Sequence, residues 1–125
     1  AVEAAGATVK IVAPKLGGAA LSDGKQLPAD GQLAGTPSVL FDAVAVVLSA
    51  AAGQRLAKEA AAVDWVRDAY GHLKAIGFDA GARPLLDAGQ VEPDAGVVSA
   101  GQVAAFVQAA RTRQWDREPR LRTLP

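Results

Sequence analysis

Residues 75–89, AIGFDAGARPLLDAG, carry the pattern in this sequence that most resembles a reactive site. A short apolar strand, a tight glycine-containing turn and a helix start follow one another, which is the layout of a nucleophile elbow. The stretch contains no Ser or Cys, and Asp79 lies at the turn. An Asp can be a nucleophile in principle, but it needs an acid or base beside it, and His72 lies before the strand. We therefore expect Asp79 to cap the following helix or to meet Arg83.

Composition narrows the choice of chemistry further. The chain has 125 residues, 13 basic and 13 acidic side chains, one His and no Cys. Without cysteine there is no disulfide, thiolate nucleophile or Cys-based metal site, and one His cannot form a histidine cluster. The balanced charge creates no field that would attract nucleic acid, and no apolar run approaches the roughly 20 residues that span a bilayer. We expect a single soluble, cytoplasmic domain without nucleic-acid, membrane or metal partners.

The remaining candidate residues have simpler interpretations than catalysis. His72 near a helix C-terminus is typical of a residue that complements the helix dipole. Trp65 and Trp115 lie in amphipathic surroundings that favour packing or interface anchors. The tail alternates basic and acidic side chains, which indicates a solvated or docking segment. Its basic residues are Arg111, Arg113, Arg117, Arg120 and Arg122.

Apolar periodicity predicts alternating strands and helices, and hence an α/β fold with a mainly parallel sheet. The predicted strands are residues 8–13, 42–48, 75–78 and 97–98, with a peripheral hairpin that turns at Asp23-Gly24. Helices are predicted over residues 54–74 and from the elbow to about Ala88, capped by Gly89. A last helix follows, with Ser99 as its N-cap and Gln102 completing a capping box.

The first residues, AVEAAG, have the pattern of the last helical turn before a glycine stop. On that interpretation TVKIVA is the second strand of a flavodoxin-like sheet ordered 2-1-3-4-5. The first, central strand and most of the first helix would then precede residue 1, so we expect a fragment of a longer protein. The carboxyl ends of the strands, near Ser49, Ala50 and Asp79, are the expected position of a crevice.

The order of three segments resembles the C-terminal domain of large-subunit haem catalases. The segments are TVKIVAPKLGGAALSDGKQLPADGQLAGTPSVLFDAVAVV, WVRDAYGHLKAIG and RTRQWDREPRLRTLP. The resemblance covers essentially the whole chain and implies a flavodoxin-like fold related to class I glutamine amidotransferases and intracellular proteases. It also implies a non-catalytic module of an oxidoreductase that decomposes hydrogen peroxide and counters oxidative stress. In such enzymes the haem and the peroxide chemistry belong to an upstream core.

The resemblance also assigns the elbow residues and the partners. Compared with the hydrolase and amidotransferase relatives, Asp79 stands where their nucleophile would be, so Asp79 with Gly77 and Gly81 marks a degenerate elbow. No cofactor is expected within this segment, and the implied partners are the catalase core and the other subunits of a homotetramer. Three functions stay open: a structural or interaction domain, a holdase-like chaperone, and a small hydrolase or amidotransferase, which the missing nucleophile disfavours.

Overall fold

A computed structural model describes residues 9–13, 19–20, 26–27, 29–111 and 113–121. The chain divides into two compact units, Ala1–Pro37 and Ser38–Pro125. The described residues of the first unit form two small strand pairs. In one, β1 (Val12–Ala13) runs parallel to β4 (Gly31–Gln32), and in the other, β2 (Ala19–Ala20) runs antiparallel to β3 (Gln26–Leu27).

The antiparallel pair confirms the predicted hairpin, whose turn at Asp23-Gly24 lies outside the described residues, as does the predicted helix end at AVEAAG. The predicted strand at 8–13 is shorter in the structure and starts at Val12. Asp30 binds the residue just before this strand, Ile11. The Ile11 N–H donates to Asp30 Oδ2 at 2.6 Å, and the Asp30 N–H donates back to the Ile11 carbonyl at 2.6 Å.

The second unit is built on three parallel strands in the order β5-β6-β7. Strand β5 is Ala43–Val46, β6 is Ala75–Phe78 and β7 is Val97–Ser99. The helices are α1 (Ala50–Leu56), α2 (Ala60–Gly71), α3 (Arg83–Ala88), α4 (Val103–Ala110) and α5 (Glu118–Leu121). The predicted α/β class with parallel strands and helices is therefore confirmed.

Strand β6 lies at the centre of the core. Ile76 is fully buried, and so are Val66 and Leu86 on the neighbouring helices. Helix α2 presents an apolar face at helical spacing, which consists of Ala62, Val66, Ala69 and Tyr70. Helices α2 and α3 come so close that a Cβ on Gly89 would lie 2.7 Å from a methyl carbon of Val66. The residue that ends α3 is therefore a glycine, because no space is left there for a side chain.

The predicted helix over residues 54–74 is wrong, because the structure has two helices there. Ser49 starts α1, and its Oγ accepts from the Ala52 N–H at 3.1 Å. Leu56 and Ala62 are both buried, although they are six residues apart and would lie on different sides of one continuous helix. The break between Leu56 and Ala60 lets both face the core.

The predicted start of the last helix is also wrong. Ser99 is the final residue of β7 rather than an N-cap, and α4 begins at Val103 after Gln102, whose side chain makes no capping bond. The Gln102 N–H donates instead to the Ser99 carbonyl at 3.0 Å, which closes a turn between strand and helix. Residues 100–102 lie in this turn, and its first residue is still bonded to β6, since the Ala100 N–H donates to the Phe78 carbonyl at 2.7 Å.

Candidate functional site

The strand, turn and helix expected for residues 75–89 are present. Strand β6 ends at Phe78, a 3-10 turn covers Ala80–Ala82, and α3 follows directly. Asp79 caps this turn, since one carboxylate oxygen accepts from the Ala82 N–H at 3.0 Å. Of the two expected contacts of Asp79, capping is therefore the one observed. Arg83 lies instead over the Phe78 ring, 4.7 Å from its centroid.

The Asp79 carboxylate also holds the end of β5. The Leu48 N–H lies 3.2 Å from both Asp79 Oδ1 and Oδ2. The Asp79 N–H in turn donates to the Val46 carbonyl at 3.3 Å. Leu48 lies two residues after the end of β5, and Asp79 directly follows the last residue of β6. One side chain therefore joins the carboxyl ends of two neighbouring parallel strands.

Backbone fills the space beside this carboxylate. A Cβ on Gly81 would run into the carbonyl oxygen of Leu48, and a Cβ on Gly53 would run into the carbonyl oxygen of Gly81. The end of β5, the 3-10 turn and helix α1 therefore touch through main-chain atoms. Ligands of α/β proteins bind outside the carboxyl ends of the strands, so these contacts occupy part of the place where a ligand would lie.

The three expected elbow residues separate into two groups. Asp79 and Gly81 lie together at the turn, whereas the hydrogen of Gly77 faces the other helix layer. A Cβ on Gly77 would lie 3.0 Å from the ring of Phe106 in α4. Gly53, which the sequence analysis did not single out, completes the backbone contact. The sequence pattern that could have identified Gly53 is a glycine inside an otherwise alanine-rich helix. Glycine is unfavourable there, so its presence indicates a close packing contact.

The other aromatic and titratable candidates lie apart from the elbow. His72 is exposed at the end of α2, with Nδ1 2.7 Å from the Asp68 carbonyl oxygen. Trp65 is half-buried, and its carbonyl accepts from the buried Ser38 hydroxyl at 2.7 Å. Trp115 lies on a 3-10 turn, Trp115–Arg117, with 61% of its surface exposed.

The tail was interpreted as a solvated or docking segment, and Arg117 shows that at this residue it is not solvated. Its side chain is fully buried and forms a salt bridge with Asp94, with Nε 2.7 Å from Oδ2. Nη1 donates to the carbonyl oxygens of Tyr70 at 2.9 Å and Lys74 at 3.0 Å, and the guanidinium lies 4.2 Å from the centroid of the Tyr70 ring. The carbonyls at the end of α2 attract a cation, and Asp94 neutralises it. Sequence alone could not tell which tail arginine does this.

Metal-binding clusters and membrane-spanning helices are both absent from the described residues. No group of three or more His, Cys, Asp or Glu side chains that could hold a metal ion occurs among them. None of the described helices is long and apolar enough to cross a membrane. A shallow depression of ≈ 310 Å³ is lined by Asp87 and residues 90–93.

Parallel strands joined by helices place the chain in the α/β class, with an elbow-like turn whose Asp is bound to backbone. The chain belongs to the family described as the C-terminal domain found in long catalases, whose family model matches residues 1–119.

Several curated relatives are catalases. The chain is 44% identical over 125 residues to Catalase C of Rhizobium meliloti (strain 1021), an alignment that covers 95% of this chain and 18% of the relative. It is 35% identical over 126 residues to Catalase-2 of Bacillus subtilis (strain 168), with 94% of this chain and 18% of the relative covered. It is 30% identical over 125 residues to Catalase HPII of Pseudomonas aeruginosa, with 96% and 18% covered. The chain thus spans less than a fifth of the length of these relatives.

Proposed function

We propose that this chain is a non-catalytic structural and interaction domain of a long catalase, whose parent enzyme decomposes hydrogen peroxide to water and oxygen. Its family membership and its catalase relatives support the parent activity. The observation that carries the non-catalytic role is the binding of the Asp79 carboxylate by the backbone N–H groups of Leu48 and Ala82.

A nucleophilic carboxylate must direct a lone pair at a substrate and needs an acid or base within hydrogen-bond reach. Both Asp79 oxygens instead accept backbone hydrogen bonds, and Gly81 brings the main chain of the turn against Leu48. Arg83, the nearest charged neighbour in sequence, is stacked on Phe78. In this proposal Asp79, with Gly77 and Gly81, forms a degenerate elbow whose hydrogen bonds serve the fold.

The sheet supports a flavodoxin-like arrangement as the finer fold. Strands β5, β6 and β7 are parallel neighbours in chain order. In a flavodoxin-like order of 2-1-3-4-5, the last three strands are arranged in the same way. On this proposal, β5, β6 and β7 correspond to strands 3, 4 and 5.

Haem, which the catalase family implies, is assigned in this proposal to the parent enzyme outside these residues. A haem ligand must point at the iron from within a pocket that encloses the macrocycle. His72 does not fit this requirement, because it is exposed at a helix end and its Nδ1 contacts Asp68. Tyr70 does not fit it either, because the Arg117 guanidinium covers its ring.

The interaction role rests on Trp115 and on the way its turn is held. The Gln114 N–H donates to the Leu73 carbonyl at 2.8 Å, and the neighbouring Arg117 is buried in its own cluster of hydrogen bonds. These contacts fix a 3-10 turn that presents an exposed Trp to the surroundings. Exposed, rigidly held aromatic side chains are the usual anchors of protein interfaces. In this proposal, the partners are the catalase core and other subunits of a homotetramer.

The test compares a full-length long catalase that carries this domain with a version that lacks it. We expect the truncated enzyme to melt at a lower temperature and to assemble incompletely, while the haem spectrum of its folded subunits stays the same. A matched full-length variant, Arg117→Met, loosens the domain without shortening the chain and is expected to shift stability in the same direction. Unchanged stability and assembly would contradict the structural role, and loss of haem ligation in soluble truncated enzyme would contradict the assignment of the chemistry.

A further inference from the structure

No side chain of this sequence contains sulfur. Half of the 125 residues are hydrophobic, yet none of them is methionine or cysteine. Methionine commonly fills irregular gaps in protein cores, and cysteine is among the most frequently buried residue types. The buried apolar side chains of the described residues are those of alanine, valine, leucine, isoleucine, phenylalanine and tyrosine. The packing of this core is therefore achieved without a sulfur atom.

Glycines bring the backbone close to neighbouring helices at two places in this core. A Cβ on Gly89 would lie 2.7 Å from a methyl carbon of Val66 in α2, and a Cβ on Gly77 would lie 3.0 Å from the ring of Phe106 in α4. At each glycine a side chain of a helix therefore packs directly against main chain. Close-packed contacts of this kind leave no gap into which a long, flexible side chain would fit.

Sulfur is the side-chain element that hydrogen peroxide oxidises by two electrons. A methionine sulfur attacks one peroxide oxygen, the O–O bond breaks, an S–O bond forms and water leaves. The sulfur is oxidised to the sulfoxide, and the peroxide is reduced. The sulfoxide is polar, so its formation inside a core disrupts the packing. The core of this domain contains no atom at which this reaction can take place.

We propose that this domain is chemically resistant to the hydrogen peroxide that the parent enzyme decomposes, and that the sulfur-free core is the cause of this resistance. The inference rests on the proposed function, because the parent activity is what brings peroxide to the domain. It goes beyond that function, since it explains how a structural domain keeps its fold at peroxide concentrations that would oxidise a core containing methionine.

The electron-rich aromatic rings are the other oxidisable groups of the chain, and the one in the core is shielded. Tyr70 is 3% exposed, and the Arg117 guanidinium lies 4.2 Å from the centroid of its ring. Trp65 is half-buried, and Trp115 is 61% exposed on its turn. Oxidation of either tryptophan would therefore change the surface of the domain and leave the packing of its core in place.

The test introduces sulfur at a buried and at an exposed position of the full-length enzyme. Leu86 is fully buried, and Leu86→Met conserves its volume, so the variant is expected to fold. Ala61→Met is the matched control, because Ala61 is exposed on helix α2 and methionine is a good helix former. The haem of each holoenzyme is blocked with cyanide, so that added hydrogen peroxide persists. Peptide masses then report oxidation, and hydrogen exchange of residues 60–78 reports opening of the domain.

The wild-type domain is expected to gain no oxygen on its core peptides and to exchange at the same rate before and after peroxide. In Leu86→Met the introduced methionine is expected to gain one oxygen, after which exchange becomes at least about tenfold faster because a polar group lies in the core. Ala61→Met is expected to gain one oxygen sooner and to exchange as the wild type does.

Three results would overturn the proposal. The first is faster exchange of the wild-type domain after peroxide. The second is unchanged exchange of Leu86→Met once its methionine is oxidised, because sulfur in the core would then be harmless. The third is a methionine at position 86 that stays unoxidised while the one at position 61 is oxidised, because burial alone would then protect the core.

The failure of this inference differs from a failure of the proposed function. If peroxide loosens the wild-type domain but removal of the whole domain still lowers stability, the structural role stands and the chemical resistance does not. If removal of the domain changes neither stability nor assembly, the proposed function fails whatever peroxide does to Leu86→Met.

Discussion

Arg117 and Asp94 form a two-point ion pair, in which Nε donates to Oδ2 at 2.7 Å and Nη2 donates to Oδ1 at 3.1 Å. The arginine is completely buried, whereas the Asp94 side chain keeps 18% of its surface exposed. Asp94 is fixed from the other side, because Oδ1 accepts from the Gly96 N–H at 2.8 Å. The pair therefore ties the tail after α4 to the loop that leads into β7.

Replacing Arg117 with Met is expected to destabilise the domain by about 3–5 kcal/mol, because a buried ion pair loses one partner. The carbonyl oxygens of Tyr70 and Lys74 lose the same donor. Native-state hydrogen exchange of residues 60–78 in the full-length enzyme measures the free energy of opening directly.

Two comparisons separate this role from general loss of positive charge. Arg111→Met removes an exposed arginine of the same tail and is expected to change the opening free energy by less than about 0.5 kcal/mol. Arg117→Lys is expected to recover little, because an ammonium cannot bond Asp94 at two points and stack on Tyr70. Equal effects of the Met variants at positions 111 and 117 would contradict the stabilising role of the Arg117–Asp94 ion pair.

Glycine substitutions after α2 and α3 are expected to change the stability of the domain in opposite directions. Each helix is followed by a residue in the left-handed region, Leu73 at φ 64° after α2 and Gln90 at φ 60° after α3. The next N–H then donates to a carbonyl five residues earlier. These bonds run from Lys74 to Ala69 and from Val91 to Leu86. Glycine adopts this conformation without a steric cost. Gln90 is exposed, so Gln90→Gly is expected to stabilise the domain by about 0.5–1 kcal/mol.

Leu73→Gly is the matched control for this prediction. Leu73 has the same backbone conformation, but its side chain is 6% exposed. Loss of a buried leucine side chain costs about 2–5 kcal/mol, which exceeds the gain in backbone conformation. The melting temperatures of both variants check the pair, and a destabilised Gln90→Gly variant would show that the conformation carries no strain.

The end of α3 shows which features of the fold could be predicted from the sequence and which could not. Gly89 was predicted to end α3, and it does, but its φ is −82° and the left-handed residue is Gln90. The requirement for glycine comes from Val66 of another helix, a tertiary contact that local pattern does not encode. Strand β6 was predicted with its exact bounds because it is apolar on both faces and followed by an Asp at a turn.

The close contact between Gly81 and Leu48 predicts that adding one methyl group at Gly81 lowers the stability of the domain strongly. Gly81→Ala would put a Cβ against the Leu48 carbonyl, and main chain cannot give way as a side-chain end can. We expect a loss of at least about 2 kcal/mol, at the upper end of the usual cost of overpacking. Gly71→Ala is the control, because a Cβ there meets nothing within 4 Å. The helical alanine is expected to stabilise by about 0.5–1 kcal/mol.

Denaturant midpoints of the two variants decide this comparison. The expected order is Gly71→Ala above the wild type and Gly81→Ala below it. If Gly81→Ala is as stable as the wild type, the turn and the end of β5 are farther apart than the structure has them.

The elbow also marks the limit of sequence analysis for the site. The strand, turn and capping Asp were predictable from local pattern, because an Asp after a strand commonly caps the next turn. The bond from Leu48 was not, since it joins residues 31 positions apart and depends on the pairing of β5 with β6. It is this second bond that turns a candidate nucleophile into a link between strands.

Substitutions at Asp79 test that link against a catalytic role. Asp79→Ala removes the acceptor for the Leu48 and Ala82 N–H groups and is expected to cost about 1–2 kcal/mol, the usual value for a lost cap. Asp79→Asn keeps one side-chain oxygen and is expected to cost less. Well below the melting temperature, both full-length variants should decompose peroxide with wild-type kcat, because among the described residues both oxygens of the carboxylate accept from backbone N–H groups of this domain. A kcat that falls with Asp79→Asn while the melting temperature stays unchanged would show that the carboxylate takes part in the chemistry.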